Sequence, residues 1–507
     1  MNWVDRTIAA FSPEAGLRRV RARVALNAID RVDRQRLGYD GAKAGRRLDG
    51  WMRPGSSANA EVGAALKHLR DGARDLVRNY PLARKALWEL QSKTVGSGIR
   101  PQARSQYPAA NKVLDEKFEQ WSKECNADGR PGYYGLQGLF ARCMFESGEV
   151  LLRFRQRLPS DGLTIPLQLQ LLEPDFLDHT KTLTTDTGYI LQGVEFNKLG
   201  RRQAYWLYGT HPGEIVNTNW FGRGSNSSAP VPTSEIEHGF IIERPGQVRG
   251  VTWFSAVIAA MHDLDGYQDA ERVRKRIEAC LAAFITQPEG EGSTLTDSST
   301  DTAGKRIEGF EPGMIVYNRP GSAVTLAEPK AAGGYAEYVR TEQYAIAAGL
   351  CLLYAVLTGD LSDVTYSSYR GGVISLKSLI EYIQWEFIIP VVGDPVWKRF
   401  VDMCRIAGYV PADTSYGVEW APPPFEMLDR GAEAEADKAM MRSGTMTWAQ
   451  AVGRQGYDPE KQLAEIAAWN KKFDDAGIVL DCDPRKVANT GAVQKTDGGA
   501  NGTAQAN

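Results

Sequence analysis

Residues 263–287 read DLDGYQDAERVRKRIEACLAAFITQ. Leu264, Tyr267, Ala270, Val273, Ile277, Cys280, Leu281 and Phe284 recur at threes and fours, the period of a helix with one apolar face. Asp265, Asp269, Arg272, Lys275 and Arg276 lie between them. At 1.5 Å per residue such a helix is roughly 35 Å long, enough to cross a small domain. It stops at Gln287-Pro288-Glu289-Gly290-Glu291-Gly292, because proline cannot donate and glycine terminates cheaply. A polar segment over 293–305 comes next. Two strand-like runs, Met314–Tyr317 and Ala323–Leu326, are joined by Asn318-Arg319-Pro320-Gly321-Ser322, so a hairpin is the economical reading. Helical spacing returns over Tyr335–Leu350, with Tyr335, Tyr338, Val339, Glu342, Ala345 and Ile346 on one side. Residues 357–370, LTGDLSDVTYSSYR, read as a loop. A long helix succeeds it, with Val373, Leu376, Ile380, Ile383 and Phe387 on its apolar side, ending at Pro390.

Upstream, 57–95 reads as helical, with Ser57 a candidate cap and Leu66, Leu69, Ala73, Leu76 and Val77 on one face. Asn79-Tyr80-Pro81 interrupts it, and Gly96–Pro101 reads as a turn, not a phosphate loop, since no Gly-Lys-Ser/Thr ending follows. Further helices are expected over Ala109–Cys125 and Tyr134–Glu146, with Phe118, Trp121, Tyr134 and Phe140 as core aromatics. At Gly148 the period changes. Glu149–Arg155, Ile165–Leu172, Tyr189–Glu195, Arg202–Tyr208 and Gly239–Glu243 read as strands of a β-rich unit, and 222–234 as a loop. Downstream, a helix over Pro395–Ala407 precedes an extended connector, Trp420-Ala421-Pro422-Pro423-Pro424. Asp429–Arg442, Trp448–Arg454 and Pro459–Phe473 then read as helices, with Thr447 and Asp458 as caps and Pro459 at a first helical position. The arginine-rich start, 1–50, and the Gly/Asn/Thr/Gln-rich end, 485–507, read as a basic leader and a disordered tail.

The chain has 507 residues, 43% hydrophobic and 24% charged, an ordinary composition for two to four domains. Its net charge of −2 excludes a binder driven by a strong basic excess. A protein through which DNA slides should not accumulate phosphate contacts, so neutrality suits a conduit better than a clamp, and it suits a protein unrelated to DNA equally well. No apolar run reaches the length of a membrane span, so no membrane association is expected. Six scattered cysteines show neither metal-ligand nor redox spacing. The five histidines form no HExxH pair, and there is no GxSxG elbow, Walker A or EF-hand loop. No catalytic residue, metal ligand set or cofactor is expected, and Asp360 and Asp363 read as caps and turn formers.

The run Leu357-Thr358-Gly359-Asp360-Leu361-Ser362 to Tyr366-Ser367-Ser368-Tyr369-Arg370 resembles the tunnel-loop signature of lambda-like bacteriophage portal proteins. Glu243-Arg244-Pro245-Gly246-Gln247-Val248-Arg249-Gly250-Val251-Thr252-Trp253 and Leu171-Leu172-Glu173-Pro174-Asp175 carry the same likeness, which extends over about 50–480. The resemblance implies an α+β subunit: a wing over 51–262, β-rich at 148–243; stem helices over 263–287 and 330–350; a small β clip over 288–329; a tunnel-loop region, 351–370; a long helix and return to the wing, 371–425; and a helical crown, 426–484. It further implies a dodecameric ring at one capsid vertex of the virion, through which double-stranded DNA is packaged and ejected. Implied partners are the terminase large subunit, the major capsid or scaffold protein and head–tail connector proteins. On that reading Thr358, Gly359, Asp360, Leu361, Ser362, Asp363, Val364, Thr365, Tyr366, Ser367, Ser368, Tyr369 and Arg370 approach the DNA. Arg272, Lys275 and Arg276 either face the bore or form ion pairs between subunits with acids such as Asp265 and Asp269. Readings from other classes are a ring-forming adaptor that never meets DNA and a nucleic-acid-processing enzyme without a familiar motif.

Overall fold

The computed structural model of the chain describes residues 55–214, 227–279, 283–286, 315–318, 334–412, 415–424, 429–480, 482–483 and 485–487, together with Ala22. The chain divides into two units, Met1–Ser57 and Ala58–Asn507. Nearly all of the basic leader and of the tail lies outside the described residues. The described sheets and long helices belong to the second unit.

Helix α1 (Ala58–Asn79) and helix α2 (Pro81–Val95) flank the Asn79-Tyr80-Pro81 break. Proline is tolerated at the first position of α2 because its missing N–H would be unpaired there anyway. Strand β1 (Arg100–Arg104) begins inside the expected turn and pairs with β12 (Gly417–Ala421), so Trp420 and Ala421 belong to a strand rather than to the expected connector. Helix α3 (Pro108–Trp121) and helix α4 (Tyr133–Ser147) complete the opening bundle. Phe118 is the centre of an aromatic cluster, with its ring 5.3 Å from Trp121, 5.2 Å from Tyr133 and 5.0 Å from Phe400. Phe118, Trp121 and Phe140 are buried as expected, whereas Tyr134 is half-buried beneath the Arg100 guanidinium.

The period does change at Gly148, which ends α4 in the left-handed region at φ 86°. Strands β2 (Glu149–Gln156), β3 (Leu167–Leu172) and β9 (Ile236–Phe240) form a sheet in the order β3-β2-β9. A five-stranded antiparallel meander contains β4 (Leu183–Thr185), β5 (Gly188–Leu191), β6 (Val194–Asn197), β7 (Arg202–Leu207) and β8 (Ala229–Pro232). The run read as one strand over Tyr189–Glu195 is two, because Gln192 (φ 51°) and Gly193 (φ 85°) make a two-residue hairpin turn with both central residues left-handed. β8 lies within the stretch read as a loop, where prolines at 230 and 232 suit an edge strand. Leu151, Leu172, Val194, Tyr205, Ile236 and Val248 form a separate small core here.

Glu149 is wholly buried, and three cationic or potentially cationic groups converge on it. Arg249 Nη2 lies 2.5 Å from Oε1, Arg70 Nη2 donates to Oε1 at 2.8 Å, and His238 Nε2 lies 2.9 Å from Oε2. The backbone N–H of Gly250 donates to Oε2 at 3.0 Å. Burial alone would push the Glu149 carboxyl up; the Arg249 charge and the His238 and Arg249 hydrogen bonds outweigh it and hold the carboxyl well below the usual range. Burial pulls His238 down to about 4, so it is neutral at pH 7. The network spreads outward. Arg249 Nη1 donates to Gln192 O at 2.9 Å, Arg70 meets Asp175 at 3.1 Å, and Arg74 donates to Glu173 and Asp175 at 2.9 and 2.8 Å. It therefore ties α1, both sheets and the 243–253 segment together.

Helix α5 spans Ile258–Ala279, beginning and ending earlier than expected, and Ala283–Thr286, read as its last turn, is strand β10. β10 pairs in parallel with β11 (Ile315–Asn318). The expected hairpin partner, 323–326, lies outside the described residues. Helix α6 (Tyr335–Gly349) matches the second expected helix. After a short helix α7 (Tyr354–Thr358), helix α8 (Tyr366–Ile383) does not stop at Pro390. It passes into a π-helical segment, Gln384–Gly393, and on into helix α9 (Asp394–Ile406). The wider turn accommodates a residue without an N–H, which an α-helix interior tolerates poorly. The Gln384 side chain donates to Thr94 O at 2.8 Å, fixing the segment to α2. Helices α10 (Arg430–Ser443), α11 (Trp448–Arg454) and α12 (Pro459–Ala476) close the described chain, with Asp429, Thr447 and Asp458 as side-chain caps. No described helix is long and apolar enough to cross a membrane.

Candidate DNA-channel segments

Helices α5 and α6 are rooted in the core at one end only. Phe254, Val257, Met261 and Leu264 are buried, as are Ile346 and Ala347 near the end of α6. At this root the helices come close: a Cβ on Gly349 would lie 2.4 Å from Val257. Away from it the cover is lost. Ala270 and Val273, on the expected apolar face, are exposed, as is Tyr267, whose contacts are the rings of Tyr335 and Tyr338 on α6 at 5.9 and 4.8 Å. Arg272, Lys275 and Arg276 are all exposed. Arg272 approaches Asp269 of its own helix at 3.5 Å, a pair three residues apart that the surface setting makes weak.

The non-helical part of the 358–370 stretch is shorter than expected. Thr358 ends α7, and Tyr366, Ser367, Ser368, Tyr369 and Arg370 form the first turns of α8, leaving 359–365 as the loop. Thr365 and Ser368 make a reciprocal capping box: Thr365 Oγ1 accepts from the Ser368 N–H at 3.3 Å, and Ser368 Oγ accepts from the Thr365 N–H at 3.1 Å. Gly359 ends α7 in the left-handed region at φ 79°, where a side chain would be strained. Asp360 organises the turn. Its Oδ1 accepts from the N–H and hydroxyl of Ser362 at 3.0 and 2.6 Å, and its Oδ2 from the Tyr354 hydroxyl at 3.2 Å. The Ser362 contacts hold the Asp360 carboxyl below its ordinary value.

Arg340, on α6, clasps this loop. Its guanidinium donates to Asp363 and lies 4.0 Å from Asp360, and Tyr344 of the same helix stacks on Tyr354 at 4.2 Å between ring centres. The expectation of a turn former fits Asp360 in this geometry, whereas the contact of Asp363 is with Arg340; the pairing of both acids with Arg340 could not be read from spacing. Leu361, Ser362, Asp363, Thr365, Tyr366, Ser367, Ser368 and Arg370 are exposed, while Val364 and Tyr369 are half-buried.

One cluster of metal-ligating type escaped the sequence reading. Glu173, Asp175 and His211 bring their ligand atoms within 4.8 Å of one another. Arg74 already donates to both carboxylates, so a fixed cation stands where an ion would bind.

Residues 44–384 match the family described as phage portal protein, lambda family. The chain is 26% identical over 380 residues to a probable portal protein of Halomonas phage phiHAP-1, covering 72% of this chain and 71% of that one. It is 23% identical over 504 residues to the portal protein of Escherichia phage N15, covering 88% and 92%. Among solved structures, a neck of a native gene transfer agent particle computed with C12 symmetry aligns with TM-score 0.38 and 12% identity, over 76% of this chain and 94% of that one. A native gene transfer agent virion aligns with TM-score 0.37 and 13% identity, over 82% and 98%. The match to two thirds of the sequence decides the assignment: this chain belongs to the lambda family of phage portal proteins.

Proposed function

We propose that copies of this chain close into a ring, dodecameric as the family resemblance implies, at one capsid vertex of the virion, and that duplex DNA is packaged and ejected through its centre. Helices α5 and α6 form the stem, and 288–329 the clip that meets the terminase large subunit during filling and head–tail connector proteins afterwards. The wing faces the capsid or scaffold protein. The observation that carries the reading is the apolar surface left uncovered on long helices. Val273 on α5, Tyr338 on α6, and Ile374, Tyr382 and Trp385 along α8 and its π segment are each 46–61% exposed among the described residues. A patch of large side chains repeated along the helices suits a neighbouring copy better than water.

The loop 359–365 and the first turn of α8 approach the DNA with Leu361, Ser362 and Tyr366. Small and hydroxyl groups there make weak phosphate contacts, and the acids Asp360 and Asp363 are matched by Arg340, so the loop carries no cation cluster that would arrest sliding. Particle mass and end-on electron micrographs of the purified chain test the ring; a single subunit at every concentration refutes it. Replacing Leu361, Ser362 and Tyr366 together by glycine tests the conduit. Normal assembly with loss of DNA filling supports it, whereas normal filling assigns the ring to an adaptor role that does not involve DNA.

A further inference from the structure

Strand β2 carries arginines at alternate positions, Arg153 and Arg155, and Arg157 follows just beyond its end, each about 7 Å from the next at the rise of a strand. At the end of this strand, Arg155 and Arg157 share a cleft of about 550 Å³ with Arg399 of α9, bounded by Phe154, Ser234 and Glu235. Two of the three guanidiniums are held in place. Arg399 lies over the Phe154 ring, 3.8 Å from its centre, and donates to Ser234 O; Arg157 Nε donates to Gln168 Oε1 at 2.8 Å. Their hydrogen-bond acceptors are neutral, so both are oriented without a direct ion pair. Arg155 has no hydrogen-bond acceptor among the described residues. Of the nearby acids, Glu235 pairs with Arg153 at 3.3 Å and also acts on Arg155 and Arg399, and Glu237 and Asp402 act on Arg399. Burial first, and then the flanking Arg153 and Arg157 charges, hold Arg155 below the ordinary arginine value, which marks a place where an added anion would be welcome.

We propose that this cleft, formed by Arg155, Arg157 and Arg399, binds a phosphate group, with Arg155 as its principal contact. Guanidinium forks match the paired oxygens of phosphate, and two of the three are already oriented by Phe154, Ser234 and Gln168. The phosphate can come from the backbone of duplex DNA or from free phosphate or a nucleotide. The proposal does not depend on the conduit reading.

The test titrates the purified full-length chain with inorganic phosphate by calorimetry, and with a short fluorescent DNA duplex over a range of salt. Wild type, Arg155→Ala and Arg155→Lys are compared, with melting curves as the check on folding. Arg155→Lys keeps the charge and loses the fork. The expected result is saturable phosphate binding, weakened about tenfold by Arg155→Ala and less by Arg155→Lys. If the source is DNA, Arg155→Ala also weakens duplex binding and lowers its salt slope by about one. If the source is free phosphate or a nucleotide, duplex binding is unchanged while phosphate binding falls. Both outcomes support the site. Absence of saturable binding at about 10 mM phosphate, where even one charge-assisted contact should register, overturns it. So does phosphate binding indifferent to Arg155→Ala in a normally folded protein. A change in ring assembly with phosphate binding unaltered also overturns it, and reassigns the cleft to an acidic side chain of a neighbouring copy.

Discussion

Glu149→Gln isolates the buried charge cluster that joins α1 to the two sheets. The substitution keeps size and shape but leaves the Arg249 guanidinium, 0% exposed, and the Arg70 guanidinium, 3% exposed, without the anion both share. Asp175 still meets Arg70, so Arg249 suffers most. Removing one partner from a buried ion cluster costs about 3–5 kcal/mol. With an unfolding entropy of about 2.1 cal/mol/K per residue across roughly 400 residues, that is a fall in Tm of about 4–6 °C. Differential scanning calorimetry at pH 7.5 measures it, and raising salt from 0.15 to 0.5 M should change the difference little, because the pair is shielded from ions. A double variant, Glu149→Leu with Arg249→Met, should lose less than the two single changes together. A Tm within 1 °C of wild type, or strictly additive losses, would refute the reasoning.

Acid should weaken the same region. His238 has a folded pKa of about 4, below its unfolded value near 6.5. Unfolding therefore takes up a proton between these values, and stability falls as pH drops from about 6.5 to 4. Glu149 acts in the same direction further down, its contribution being lost as pH falls through its depressed folded value. Tm measured from pH 7.5 to 4.5 should decline, and His238→Gln should flatten the upper part of that decline. Arg340→Ala should raise hydrogen exchange across 359–365 severalfold while leaving the α2 and α4 amides protected; equal protection would show that the clasp does not hold the loop. Thr365→Ala should destabilise the start of α8 by about 1 kcal/mol, seen as faster exchange at 367–369. Trp385→Asp should shift particle mass toward single subunits, with an unchanged circular dichroism spectrum.

Most helices were legible because their apolar residues kept a helical period and their ends carried ordinary signals. Thr447, Asp458 with Pro459, and the break at Tyr80-Pro81 all stand where the rules for caps and proline place them. Two of the misreadings share a cause: a local rule was overridden by a contact distant in sequence. Pro390 does not end its helix because one side of the π segment is buried and anchored to Thr94 across 290 residues. Ala283–Thr286 looks helical beside Cys280 and Leu281, yet it pairs with a segment about 30 residues later. The Ser-Ser-Tyr run at 367–369 looked like loop, although Thr365 and Ser368 carry the atoms of a capping box. The two further motifs that carry the family likeness gain a physical account: Glu173, Pro174, Asp175 and Arg249 belong to one polar network around Glu149. The clasp of Arg340 on Asp363 had no local signal, because its partners are 23 residues apart on different elements.

The π-helical joint at Gln384–Gly393, buried on one side, gives helix α8 the geometry of a lever. Its 18 residues extend about 27 Å from that joint to Tyr366. A tilt of about 5° at the joint would carry the tip roughly 2 Å sideways, with no hydrogen bond in the shaft broken. Small strains arriving through α2 at Thr94 would thus be enlarged at the far end, where 359–365 sits.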